Sequence, residues 1–116
     1  MTNGNLVVDL SFKFALDIIL FTEILEEKRK YILAKQLFSS GTSIGANVRE
    51  AQGAESRADF IHKMKIAYKE AEETKYWLTL CFEAPSYPDP KHLLSANDSL
   101  LKVIGKIIST SKGGYL

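Results

Sequence analysis

One cysteine, three prolines and two histidines in 116 residues each close off a class of answers. Cys81 has no partner for an internal disulfide, and its neighbours Leu80 and Phe82 predict a buried or half-buried thiol in a reducing compartment. Two histidines and one cysteine are too few to suggest a catalytic triad, and no glycine-rich phosphate loop follows a strand. Neither sign of charge is in excess: 15 Lys and Arg against 14 Asp and Glu leave a formal net charge of +1, so any nucleic-acid binding has to rest on local charge. Nor does any apolar stretch continue far without a polar residue. The stretch from Phe14 to Leu25 is cut by Asp17, Thr22 and Glu23, and the opening Met-Thr-Asn-Gly-Asn lacks the positive start of an export signal. The expectation is a cytoplasmic protein that does not span a membrane.

What is present is helical periodicity. The chain is the length of one domain, 46% apolar and 25% charged, with no strand longer than Leu6-Val7-Val8. A first helix is expected over 10–29, capped by Asp9 or Ser11, with Phe14, Ile18, Phe21 and Leu25 on its core face. Phe12, Leu16 and Ile19 form a second apolar stripe nearly opposite, more than a monomeric bundle needs, so another subunit is expected to cover it. A third helix is expected over 57–83, with Ser56 as its cap and Phe60, Met64, Ala67, Ala71, Thr74, Leu78 and Phe82 as its core stripe. Ile66, Trp77 and Leu80 flank that stripe as a second candidate subunit contact. Asp89-Pro90 opens a fourth helix over 90–109, facing inward with Leu93, Asn97, Leu100, Ile104, Ile107 and Ile108, and a tail over 110–116 has no period. Four helices with short links predict an all-α, antiparallel up-and-down four-helix bundle.

The second helix, over 31–53, contains the most informative run: small residues from Gln36 to Gly53, with Leu37, Ile44 and Val48 set among them at helical spacing. Ser39-Ser40-Gly41-Thr42-Ser43 also reads as a loop, and each glycine costs a helix about 1 kcal/mol. The face Leu33, Leu37, Ile44, Val48, Ala51 continues across it and favours one helix with a thin waist. Gly41 and Gly45 then lie four apart on one side, where missing side chains let another helix come close.

Ser40-Gly41-Thr42-Ser43-Ile44-Gly45-Ala46-Asn47-Val48-x-Glu50-Ala51, with Asp59-Phe60-Ile61 and Ala67-x-x-Glu70-Ala71-x-Glu73-Thr74-x-Tyr76-Trp77-Leu78, resembles the 23S rRNA intervening-sequence proteins over nearly the whole chain. That resemblance implies a left-handed, closed four-helix bundle assembling as a homopentamer, in a family most of whose members have no assigned biochemical activity. A related branch is similar to the accessory proteins of diversity-generating retroelements, pentamers that partner a reverse transcriptase and bind nucleic acid through basic surfaces. The chain departs from the family at Ser39, where arginine is common, and in its near-neutral charge.

Lys35, His62, Lys63, Lys65 and Lys69 are the candidate nucleic-acid contacts, the last four gathered on one side of the third helix. Glu70, Glu72 and Glu73 follow at once, so a merely solvated, self-neutralised face is the competing interpretation. Asn47 with Glu50, and Glu70 with Glu73, aim oxygens from neighbouring turns, but neither His62 nor His92 stands three residues after a glutamate as di-iron bundles require. Gly41, Ile44, Gly45, Asn47 and Glu50 are therefore expected to serve helix packing and register. No catalytic residue, metal, cofactor or small-molecule substrate is expected. Two functions remain open: an oligomeric module that weakly holds RNA, DNA or a nucleic-acid enzyme, and a structural or protein-interaction oligomer that binds no nucleic acid.

Overall fold

In the computed structural model, which describes residues 5–113, the chain forms four α-helices and no strand among those residues. They are α1 (Leu6–Glu27), α2 (Tyr31–Ala51), α3 (Arg57–Glu83) and α4 (Lys91–Ser111). Consecutive helices pack on one another and α4 returns to α1, the thinnest of the four seams, in a body of 47 × 26 × 22 Å.

The helix ends follow local chemistry. Ser56 Oγ accepts a hydrogen bond from the Asp59 N–H at 3.0 Å while Asp59 Oδ2 accepts one from the Glu55 N–H at 3.1 Å, a reciprocal cap that starts α3 as its sequence predicts. At the end of α1 the Lys30 N–H reaches the Leu25 carbonyl (2.8 Å) and the Arg29 N–H the Glu26 carbonyl (2.9 Å), with Arg29 in the left-handed region at φ 61°. This is a Schellman ending made without glycine. Asp89 Oδ1 accepts from the Lys91 N–H at 2.9 Å where α4 begins.

Three elements differ from expectation. Leu6-Val7-Val8 is helical, so α1 starts four residues early; Val7 and Val8 are buried, and that tertiary contact outweighs their preference for extended backbone. At the end of α3 Cys81 is buried and Phe82 is 47% exposed, because the alternation of four and three residues continues from Leu78 to Cys81, seven after Thr74, and a second step of four to Phe82 leaves the core face. Thr110 and Ser111 belong to α4; Gly114–Leu116 lie outside the described residues. The waist of α2 is continuous helix. Thr42 and Ser43 hydroxyls donate to the Phe38 and Ser39 carbonyls at 2.6 Å each, so the small polar residues bond within the helix instead of opening it.

The core unites Phe14, Ile18, Phe21 and Leu25 with Leu37, Ile44, Val48, Met64, Leu78, Leu93, Leu100 and Ile104, all buried. A polar layer crosses it. The Ser40 and Thr74 hydroxyls share a hydrogen bond of 2.9 Å between α2 and α3, and Asn97 Nδ2 donates to the Ala71 carbonyl at 2.9 Å between α4 and α3.

Candidate functional site

Two helix pairs present surfaces that the core does not account for. Between α1 and α2 the glycines permit a close crossing: a Cβ on Gly41 would stand 2.8 Å from Ile18 Cγ1, and one on Gly45 would stand 3.1 Å from the Ser11 carbonyl oxygen. The tight contact is thus within the subunit. Beside it runs a groove holding two clefts, one lined by Ile19, Thr22, Tyr31 and Phe38, the other by Phe12, Ala15, Gly45 and Arg49. Phe12 and Leu16 are about half exposed, as are Tyr31 and Phe38 across the groove.

The five basic candidates do not form one patch. Lys35 lines the α1–α2 groove beside Glu23 and Glu26. Lys63 Nζ is bound to Asp59 Oδ1 at 2.9 Å, which raises the Lys63 pKa and lowers that of Asp59. His62 is exposed on α3. Lys65 and Lys69 come together over a cleft of about 370 Å³ between α3 and α4, whose other lining residues are Tyr68, Gly105 and Ile108. Neither pairs with Glu70, Glu72 or Glu73; among the described residues the ion pairs are Lys13–Asp17, Lys63–Asp59 and Lys75–Asp98. Across the cleft, α4 carries Lys102 and Lys106 on exposed turns and ends at Lys112, three basic residues absent from the sequence-based candidates. The signal was legible: no acid follows Asp98.

The model of the family described as 23S rRNA-intervening sequence protein matches residues 4–109. The chain belongs to that family. Among solved structures it is similar to a protein of unknown function from the S23 ribosomal protein family of Bacteroides thetaiotaomicron, with 40% identity, coverage of 89% of this chain and 98% of that one, and a TM-score of 0.84. No curated protein matches it.

Within this intervening-sequence protein the polar residues of the sequence motifs make mainly local bonds. Asn47 Nδ2 donates to the Ser43 carbonyl (2.8 Å), Trp77 Nε1 to Glu73 Oε2 (3.0 Å), and Tyr76 meets the Trp77 ring edge-on at 5.1 Å between centroids. Thr74 and Ser40, bonded to each other, are the pair of motif residues whose hydrogen bond joins two helices. Glu50 is exposed, Ile66 and Trp77 are half-buried, and Leu80 is exposed on the outer side of α3. Burial raises the Glu70 carboxyl pKa, with the Glu73 charge adding to it. Burial, with Asp89 nearby, pushes the Cys81 thiol up to about 11, and its Sγ donates to the Pro88 carbonyl at 3.2 Å. A thiol so held is a packing group at neutral pH, not a nucleophile. Among the described residues no three His, Cys, Asp or Glu side chains converge as metal ligands, and no helix is long and apolar enough to cross a membrane.

Proposed function

We propose that this protein is a non-catalytic, homo-oligomeric module that holds nucleic acid, or an enzyme acting on it, on the basic face of α3 and α4. The observation that carries this reading is charge segregation. From Arg57 to Lys69 four basic residues accompany one acid, and from Ser99 to Gly113 three accompany none. These segments carry +6 of a chain total of +1, so the remainder carries −5. They lie side by side: Arg57 and Phe60 share a cleft with Thr110, Ser111 and Gly113, and Lys65 and Lys69 share one with Gly105 and Ile108. Phosphates are held by such clusters without reading of sequence.

The assembly half rests on the α1–α2 groove, where Phe12, Tyr31 and Phe38 stay exposed in the single chain, with Leu16 exposed one turn from Phe12 on α1. A second copy is its occupant in this proposal, and the family resemblance favours five copies around a ring. The bundle itself is antiparallel up-and-down in this reading. Along α1 and α2 the facing pairs are Asn5 with Gln52, Ser11 with Gly45 and Ile18 with Gly41; along α3 and α4 they include Lys75 with Asp98 and Tyr68 with Gly105. In each set one number rises as the other falls.

Binding of the purified chain to structured RNA and to duplex DNA at two salt concentrations tests the proposal. The expected result is weak affinity that falls steeply as salt rises. Absence of binding at low salt would leave the structural oligomer, a reading supported by the pairing of Lys63 and Lys75 with acids.

A further inference from the structure

The cleft between α3 and α4 differs from a solvated lysine stripe in having an apolar floor. Tyr68 and Ile108 form that floor, and Gly105 keeps it open: a Cβ there would stand 3.4 Å from Tyr68 Cε1. Lys65 and Lys69, one turn apart on α3, border it, and Lys112 lies one turn beyond Ile108 on α4. Arg57 lines the next cleft along the same helix pair, roughly 18 Å from Lys69 at 1.5 Å per helical residue. A duplex offers its phosphates to such a surface but keeps its base faces stacked inside. An unpaired strand offers both phosphates and base faces, and aromatic floors between basic borders are how sequence-tolerant single-strand binding is built.

We infer that this cleft receives an unpaired nucleotide of a single-stranded nucleic acid, its base against Tyr68 and Ile108 beside Gly105 and its flanking phosphates on Lys65 and Lys69. The spread of charge from Arg57 to Lys69 suits a run of phosphates better than a free mononucleotide. The inference rests on the polyanion-binding reading above and narrows it to one kind of strand.

Fluorescence anisotropy of the full chain with labelled twelve-nucleotide rU and dT strands, and with a twelve-base-pair duplex, tests it at low and moderate salt. The parent is expected to bind a single strand more tightly than the duplex, the tighter arm distinguishing RNA from DNA. Gly105→Leu fills the cleft and is expected to weaken single-strand binding about tenfold, with duplex binding within twofold of the parent. Gly105→Ala guards against a folding artefact: replacing a helical glycine raises the melting temperature, while its Cβ narrows the cleft and lowers single-strand affinity. Weaker binding by a more stable protein cannot come from unfolding. Unchanged single-strand affinity in Gly105→Leu, or a parent that prefers the duplex, would overturn the cleft assignment while leaving polyanion binding standing. A parent that binds none of the three probes at low salt would overturn both.

Discussion

At Gly41 the space for a side chain is already occupied by Ile18, which is fully buried and cannot swing into solvent. Gly41→Leu therefore forces α1 and α2 apart or pushes Ile18 off its rotamer, at a cost of about 1–3 kcal/mol. For a domain of this size that corresponds to a melting temperature lower by roughly 5–15 °C, read by circular dichroism. An unchanged melting temperature would show that the helices adjust freely and that the glycine is incidental. The small-residue pair was legible because absence of side chains at four-residue spacing has one mechanical use in a helix. That the approaching partner is α1 of the same chain was not legible, since a missing side chain identifies no neighbour.

Element boundaries were legible where a residue's own side chain or ring makes the boundary. Ser56 with Asp59 fixes the start of α3 by a hydrogen bond three residues long, and Asp89-Pro90 places α4 within a residue of its observed start. The start of α1 was hidden because burial of Val7 and Val8 decides it, and burial is a property of the assembled bundle. The lysines of α4 were overlooked for a different reason: Lys102 and Lys106 stand one turn apart but Lys112 lies off their stripe, and the three matter only once α3 lies alongside. The turn between α1 and α2 also escaped, as Arg29 occupies a left-handed position that glycine usually fills. Its side chain carries a steric penalty of about 1 kcal/mol there. Arg29→Gly should therefore be more stable than Arg29→Ala by about 1 kcal/mol in urea denaturation, since both lose the same charge and only glycine relieves the strain. Equal stability of the two variants would show that the turn carries no strain.

The molecule as a whole has two unlike sides, an apolar groove on α1 and α2 and a basic cleft on α3 and α4, with a net charge near zero concealing the division. If the first side joins subunits, it can be switched off without touching the fold, because Leu16 is 48% exposed in the single chain and adds little to its core. Leu16→Glu should then give a protein with unchanged helical circular dichroism and the mass of one chain by light scattering, where the parent gives a multiple of it. A carboxylate buried against a neighbouring subunit loses its hydration without gaining a partner, and repetition of the penalty at every interface of a symmetric ring amplifies it. The same variant separates the two sides. A single chain retains its α3–α4 cleft, so single strands still bind it, but without the avidity of several linked sites affinity for long strands drops far more than affinity for a twelve-nucleotide probe. Parent mass in Leu16→Glu would remove the α1–α2 groove from the assembly and move attention to Trp77 and Leu80 on α3.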